Sequence, residues 1–394
     1  MRKISANYIF AESGKWLKNG IIHLNDENII TKVQHTEGVL QEEANLEFYN
    51  GVLCPAFVNT HCHLELSHLK HNIQKHTSLP DFINQIHKKR NAENATILKA
   101  ARSADSLMFA NGIVAVGDIV NNETVIEIKK NSKIRYISFL ETFGLNEALI
   151  EERWENTLAL LKLYENSHLE AFIVPHAPYS VPDDLLKKIT DFATANIGII
   201  SFHNQETESE NSLFQNETGI LVESFREWGL SVAGISGRGK NSLSNILTKL
   251  PAGLHTLLVH NTFTTEDDIL QATNYFQNLF WVFCPNANLY IENKLPNVSL
   301  FTKHNQTITI GTDSFASNSN LSVLEELKTL QRFFPEISTN ELLTWATING
   351  AKALKIENRF GTFQEGKQSG INLITPFNFK EMKLLPESKI QRLV

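Results

Sequence analysis

Two histidines follow an apolar run near the start of the chain, at a spacing that suits metal binding. The run Val52–Val58 is typical of a buried strand, and His61 and His63 come soon after it, where the residues turn polar. In an extended strand alternate side chains share a face. The two imidazoles therefore point to one side, Glu65 continues the alternation, and Cys62 points to the other side. The spacing alone is a weak signal, but at the end of a buried strand it predicts half of a metal site.

Three further apolar runs end in residues that bind metals or move protons. His203 closes one run and Glu206 follows it, His260 ends another, and Asp313 follows a third. Taken singly, each histidine is as well explained as a hydrogen-bonded core residue, and Asp313 as a helix N-cap. Together with the His-x-His pair, these strand ends offer the neutral imidazoles and the carboxylate that a borderline divalent ion prefers, with room for a water.

The composition excludes several classes of protein. The 394 residues are 42% hydrophobic and 20% charged, which is ordinary for a globular chain. A net charge of -7 and a pI near 6.1 provide no basic surface for nucleic acid. The three cysteines, Cys54, Cys62 and Cys284, are too few for a disulfide framework and indicate a reducing compartment. No apolar stretch approaches about 18 residues. We predict a cytoplasmic protein that binds neither nucleic acid nor membrane.

Apolar strand candidates alternate with helical periods through the middle of the chain, which predicts βα units and a parallel sheet. Eight strand candidates end near His63, Asp118, Glu141, His176, His203, His260, Cys284 and Asp313. Helical patterns cover 81–110, 147–165, 183–195, 265–277 and 319–333. We therefore predict an α/β fold with a (β/α)₈ TIM-type barrel over residues 55–357, whose site lies at the C-terminal ends of the strands.

The two ends of the chain predict a second, smaller unit. Residues 1–54 hold short β-like runs separated by turns, and the tail holds strand-like residues at 371–374 and 389–394. Neither segment is long enough to bury a core alone. We expect 1–54 and 358–394 to form one small β-sandwich domain. The connection from Thr207 to Gly253 is longer than a βα unit needs, and its centre at Ser236–Lys240 predicts a lid over the barrel mouth.

The motifs together resemble the amidohydrolase superfamily, in its branch of cytosine and S-adenosylhomocysteine deaminases. The resemblance covers nearly the whole chain, including the split β domain. Glu65 and Ser67 resemble the aminodeoxyfutalosine-deaminase group more closely. The matching stretches are Pro55–His63, Pro175–Ser180, His203–Glu206, Leu258–Asn261, Cys284–Leu289 and Gly311–Ser314.

The resemblance implies a role for each strand-end residue. One divalent ion, Zn²⁺ or alternatively Fe²⁺, would be held by His61, His63, His203 and Asp313. Glu206 would relay a proton from water to the substrate, and His260 and Asp313 would hold the attacking water. Relatives with two metals carry a carboxylated lysine at the end of strand 4, where this chain has His176 and Pro178. The site is therefore expected to be mononuclear.

The resemblance also implies residues that contact the substrate. These are Glu65, Glu141, His176, Tyr179 and Asn288. For Glu65 a solvated loop carboxylate is an equal alternative, and for His176 and Tyr179 the alternative is a strand exit shaped by proline. His68, His71, His76 and His87 are interpreted as surface residues.

The resemblance, together with these residues, implies a metal-dependent aminohydrolase of an aromatic N-heterocycle. It favours as substrate a 6-aminopurine nucleoside, such as a 5′-substituted adenosine or aminodeoxyfutalosine, which would release ammonia. The alternatives are a guanine, pterin or cytosine deaminase, a triazine or imidazolone hydrolase, and a barrel that serves only as a scaffold. The only expected partner is the small heterocyclic substrate, and the sequence leaves a homodimer open.

Overall fold

The chain forms one mixed sheet from its two ends and two parallel sheets from its middle. The computed structural model describes residues 2–11, 14–232 and 239–394. The first segment contributes β1 (Arg2–Phe10), β2 (Trp16–Lys18), β3 (Ile21–Leu24), β4 (Ile30–Gln34) and β5 (Leu46–Pro55). The middle contributes β6 (Phe57–Cys62), β7 (Ile113–Val120), β8 (Arg135–Thr142), β9 (Glu170–Pro175), β10 (Ile199–Asn204), β11 (His255–His260), β12 (Asn278–Phe283) and β13 (Ile308–Ile310). The last segment contributes β14 (Ile371–Asn378) and β15 (Lys383–Arg392).

The eight middle strands are those expected from the sequence, and they form two four-stranded parallel sheets. The strand orders are β6-β7-β8-β9 and β10-β11-β12-β13. Strands such as β7 are buried along their whole length, and their sequences are continuous apolar runs. Backbone hydrogen bonds join the two sheets at the carboxyl ends of their strands. His203 N donates to His176 O at 2.9 Å, and Asp313 N donates to His61 O at 3.0 Å. These contacts gather the strand ends at one place.

The mixed sheet joins the first and last segments of the chain. Its order is β15-β14-β5-β1-β3-β4, with β2 paired to β1. It has an apolar cluster of its own, separate from the clusters of the parallel sheets, whose largest members include Ile4, Ile9, Ile22, Leu53 and Phe363. This cluster forms because β1, β3, β5 and β14 bury one set of alternating side chains together.

The expectation of one buried strand over Val52–Val58 is wrong. Strand β5 ends at Pro55 and β6 begins at Phe57. Ala56 N donates to Ser369 O at 3.1 Å, whereas Phe57 N donates to Gly112 O at 2.8 Å. Because Ser369 lies just before β14 and Gly112 just before β7, the apolar run crosses from the mixed sheet to a parallel sheet at Ala56.

Helices lie between the parallel strands and after β13. They are α1 (Ser78–Lys89), α2 (Asn94–Ala110), α3 (Ile126–Asn131), α4 (Ile150–Asn166), α5 (Asp183–Ala195), α6 (Glu208–Asn216), α7 (Ile220–Glu227), α8 (Ser242–Ile246), α9 (Glu266–Tyr275), α10 (Pro285–Ile291), α11 (Val298–Lys303), α12 (Val323–Phe333), α13 (Thr339–Thr344) and α14 (Gly350–Ala353). None of the described helices is long and apolar enough to cross a membrane.

The helical pattern 81–110 is not one helix, because Glu93 is extended (ψ 135°) and separates α1 from α2. Polar side chains such as that of Asn91 compete for backbone hydrogen bonds and favour such a break. The expected lid centre falls largely on residues 233–238, outside the described part of the chain. The described remainder of that connection forms α6, α7 and α8.

Candidate metal and active site

The His-x-His pair and Asp313 meet at the carboxyl ends of β6 and β13. The Nε2 atoms of His61 and His63 are 3.2 Å apart. Asp313 Oδ1 lies 3.4 Å from His63 Nε2 and 3.7 Å from His61 Nε2. The ligand atoms of these three residues fall within 4.8 Å of one another, and so do those of His61, His203 and His260. Groups from β6, β10, β11 and β13 thus converge on one point.

A backbone carbonyl fixes the orientation of the His203 ring. Its Nδ1 donates to His176 O at 2.9 Å, and a carbonyl can only accept, so the proton lies on Nδ1 and Nε2 keeps its lone pair. A metal-binding histidine commonly gives its second ring N–H to such a backbone carbonyl. His176 is itself held, because its Nδ1 lies 2.7 Å from Ser180 Oγ.

The backbone is strained where these residues leave their strands. Gln205, His260 and Asp313 have φ values of +46°, +74° and +54°, a region that residues with side chains rarely adopt. Such strain persists only where the surroundings hold it, and it concentrates at functional sites. Gly311 has a packing reason to be glycine, since a Cβ there would approach Cys284 Sγ and His61 Cβ to 2.8 Å.

Burial keeps the clustered imidazoles neutral. It lowers the pKa of His63 and of His203 to about 3 and that of His176 to about 4, and it lowers the pKa values of His61 and His260 as well. A metal binds only the unprotonated ring. Neutral imidazoles that converge with a carboxylate match the ligand set of zinc and of other divalent transition metals. The donor set therefore fits one such ion.

Glu206 and His260 face each other beside this cluster. Glu206 Oε1 lies 3.6 Å from His260 Nε2, and both side chains are almost fully buried. Burial raises the pKa of the Glu206 carboxyl well above its usual range. His260 Nδ1 lies 2.9 Å from Asn288 Oδ1. The Asn288 amide donates to Thr262 Oγ1 at 2.9 Å, which orients its oxygen toward the imidazole. His260 therefore turns an unprotonated Nε2 toward Glu206.

A cavity of about 350 Å³ opens from the cluster to the surface. Its inner end is lined by polar groups that include Glu141, His176, His203, Glu206, His260 and Asp313. Its outer wall is apolar and comes from α1 and the end of α7, with Leu79, Phe82, Ile83, Ile86, Phe225 and Trp228. A cavity that is largely apolar with a few convergent polar groups is typical of a small-molecule site.

Three of the five expected substrate residues line the cavity, and two lie behind it. Glu141, His176 and Tyr179 are part of the described wall, and Glu141 Oε1 is buried without a hydrogen-bond partner. Glu65 is buried, which excludes the solvated alternative, and it is not among the described residues that line the cavity. It accepts hydrogen bonds from Asn121 N at 3.2 Å and from Asn122 Nδ2 at 3.0 Å.

The wall also contains residues that the sequence did not single out. Arg90 and Asn121 line it, and Arg90 Nη2 lies 3.4 Å from Glu65 Oε1. Arg153 lines it too, and donates to Phe143 O at 2.6 Å. The apolar positions of α1 recur at helical spacing, and this pattern was the available signal for the outer wall. The arginines carried no such signal, because single cations on helices are ordinary surface residues.

Of the four histidines interpreted as surface residues, three are exposed and His68 is half-buried. His87 is exposed as expected, but it lies at the mouth of the cavity. His68 is half-buried, and its two ring nitrogens lie 3.1 Å from Glu65 O and from Arg90 O. It thereby ties the turn after His63 to the end of α1.

The chain belongs to the amidohydrolase family, whose model matches residues 52–390. The resemblance drawn from the motifs is confirmed. An adenosine deaminase of Helicobacter pylori (strain ATCC 700392 / 26695) is 27% identical over 338 residues, which cover 85% of this chain and 80% of that protein.

Two solved structures share the fold. The Helicobacter pylori aminofutalosine deaminase, in complex with methylthio-coformycin, superposes with a TM-score of 0.82 and 21% identity, and all of both chains is covered. An adenosine deaminase from Xanthomonas campestris with bound zinc superposes with a TM-score of 0.75 and 18% identity, covering 98% of this chain and 87% of that one.

Proposed function

We propose that this protein is a metal-dependent aminohydrolase that removes the 6-amino group of a 5′-substituted adenosine and releases ammonia. The observation that carries the proposal is the convergence of neutral imidazoles, Asp313 and the buried Glu206–His260 pair at the inner end of one cavity. This arrangement joins a metal site to a proton-transfer group, which deamination requires and a scaffold does not. The deaminase relatives support the same reaction class.

One divalent ion, Zn²⁺ or alternatively Fe²⁺, would be held by His61, His63, His203 and Asp313. When bound, such an ion lowers the pKa of a coordinated water to about 7 and supplies a nucleophile at neutral pH. The described end of β9 offers His176 instead of a lysine, which supports a single ion.

The chain's own residues then move the protons. Glu206 takes a proton from the attacking water and delivers it to a ring nitrogen of the purine, and afterwards supports departure of ammonia. Its raised pKa suits this work, because burial favours the protonated carboxyl and so makes the carboxylate a stronger base. His260 keeps its neutral Nε2 toward the water, since Asn288 occupies its Nδ1. Asp313 accepts a hydrogen bond from the same water.

The shape of the cavity supports a nucleoside more than a free base. The purine ring fits the polar inner end between His176 and Tyr179, and the 5′-substituent lies along the apolar outer wall. The unpartnered Glu141 Oε1 is placed to accept a hydrogen bond from the sugar. Glu65 and Asn288 act indirectly in this arrangement, through Asn121 and His260 respectively. A free-base deaminase, the second candidate, would leave the outer wall unused.

Two structural features complete the proposal. We propose that the two parallel sheets close into one (β/α)₈ barrel over 55–357, supported by the hydrogen bonds that join β6 to the residues after β13 and β9 to β10. We propose that 1–54 and 358–394 form a small β domain of sandwich type around the apolar cluster of the mixed sheet. A cytoplasmic location is supported by the three unpaired, buried cysteines.

The test is release of ammonia, together with the absorbance change, from adenosine, 5′-substituted adenosines, guanine and cytosine. We expect the highest kcat/KM for a 5′-substituted adenosine. A higher value for guanine or cytosine, with the adenosines inert, would refute the nucleoside proposal and leave the deaminase class standing. A metal-replete protein that deaminates none of them would refute both.

A further inference from the structure

The proposed proton carrier lies on a turn that its own backbone does not stabilise. Glu206 follows β10 by two residues, and the intervening Gln205 has a φ of +46°. Both residues are almost fully buried, so their N–H groups have no access to water. A buried N–H needs a partner, and a strained turn needs surroundings that hold it.

A second buried carboxylate provides both partners. Glu210 Oε1 accepts from Gln205 N at 3.1 Å, and Glu210 Oε2 accepts from Glu206 N at 3.2 Å. Glu210 is fully buried in the first turn of α6, and it is not among the described residues that line the cavity. It therefore touches the backbone of the proton carrier but not the substrate.

A third donor connects this carboxylate to the long connection after β10. The hydroxyl of Ser242, at the start of α8, makes a short hydrogen bond to Glu210 Oε1. The side chain of Gln205 is fixed as well, because it donates to Asp268 Oδ2 at 3.1 Å and accepts from Thr264 Oγ1 at 2.7 Å. The turn is held from several elements at once.

We propose that Glu210 is a positioning residue for catalysis, which clamps the Gln205–Glu206 backbone with its two carboxylate oxygens and so places the Glu206 carboxyl against His260. The inference rests on the proposed role of Glu206. The physical reason is that catalysis depends on precise placement. A displacement of about 1 Å in a reacting group can cost about 10²-fold in rate, even when the substrate keeps all its contacts.

The sharpest variant is Glu210→Gln, which keeps the size of the side chain but has one acceptor atom instead of two. Its amide NH₂ must face one of the two backbone N–H groups, so one bond of the clamp is replaced by a contact between donors. We expect kcat to fall about tenfold or more, with KM within about threefold of wild type and one metal per chain retained. Hydrogen exchange at the Gln205 and Glu206 amides should become faster.

Two controls separate positioning from general destabilisation. Ser242→Ala removes one donor and leaves both backbone bonds of Glu210 in place. Asp105→Asn makes the same carboxyl-to-amide change at a half-buried site outside the cavity, where Oδ1 accepts from Ser132 Oγ and Tyr136 Oη. Both should keep kcat within about threefold of wild type.

The kinetic, metal and amide-exchange results test the positioning role and the proposed function separately. The positioning role is overturned if Glu210→Gln keeps a kcat within about threefold of wild type. It is also overturned if the variant shows a lower kcat, a higher KM and a lower metal content together. If this variant does not fold, Glu210→Asp provides the test, since it keeps two acceptor oxygens at shorter reach and the same loss of kcat alone is expected. A wild-type protein without deaminase activity refutes the proposed function, whereas unchanged amide exchange in the variant refutes the clamp.

Discussion

Replacing Glu206 with glutamine separates its chemical role from its structural one. The side chain is almost fully buried, and its Oε1 lies 3.6 Å from His260 Nε2. Glutamine has the same shape but cannot carry a proton. Loss of a positioned acid–base group costs about 10²–10⁴ in rate, which is about 2.7–5.4 kcal/mol of activation free energy at about 1.36 kcal/mol per factor of ten.

The same substitution should not weaken the fold. The pKa of the Glu206 carboxyl is raised by burial well above the 4.5 of the unfolded chain. The buried carboxyl therefore contributes its full stabilisation below pH about 4.5. This contribution is lost as pH rises through the folded pKa, because the carboxyl ionises freely in the unfolded chain but not in the folded one. Glutamine has no such loss. In metal-depleted protein at pH 7 and above, Glu206→Gln should match or exceed the wild-type Tm.

The assay combines steady-state ammonia release, metal content and thermal unfolding from pH 5 to pH 8. We expect a loss of kcat of about 10² or more, one metal per chain, and a Tm difference in favour of the variant that grows with pH. Turnover within a few-fold of wild type would remove Glu206 from the mechanism. A variant less stable than wild type at pH 8 would contradict the burial argument.

Four further predictions address the surroundings of the site. Purified protein should carry close to one divalent ion per chain, and chelation should abolish turnover until one equivalent of zinc is returned; elemental analysis that finds two ions in active protein would contradict the single site. Asn288→Leu should lower kcat about tenfold or more by freeing His260 Nδ1, the usual scale for an outer-shell partner; unchanged kinetics would show that the His260 tautomer is set elsewhere. Lys129→Met should lower the free energy of unfolding by about 3–5 kcal/mol, because it leaves Asp118 buried without its cation, 2.7 Å away in the wild type; denaturant titration measures this, and a loss below about 1 kcal/mol would mean that water reaches Asp118. Gly311→Ala should weaken metal binding because the added Cβ displaces His61, and competition with a chromophoric chelator measures the affinity. An unchanged affinity would mean that the backbone at the end of β13 shifts to make room for the Cβ.

Much of the fold could be predicted from local patterns. Buried parallel strands read as continuous apolar runs, so all eight middle strands are visible in the sequence, each ending close to the expected residue. The same reading failed at Ala56, because hydrophobicity reports burial and not which sheet supplies the hydrogen bonds. It also merged α1 with α2, since a short extended break at Glu93 leaves the helical period almost unchanged.

The residues at strand ends were the part of the site that the sequence determined. In the barrel that alternating strands and helices predict, all the parallel strands end on one face, so the residues that follow them were expected to lie near each other. His61, His63, His203 and Asp313 were therefore identifiable as one group. Their roles as ligands stay a prediction that metal analysis will test.

Only the tertiary structure decided which polar side chains face the cavity and which stand behind it. Glu65 and Asn288 are close in sequence to cavity residues, yet their side chains turn toward Asn121 and His260. In the sequence Glu210 looks like an ordinary exposed helix residue, yet its side chain is fully buried and accepts a hydrogen bond from Glu206 N. The physical reason is that a side chain's direction at a strand exit depends on φ and ψ and on partners distant in sequence, and neither is encoded in local hydrophobic spacing.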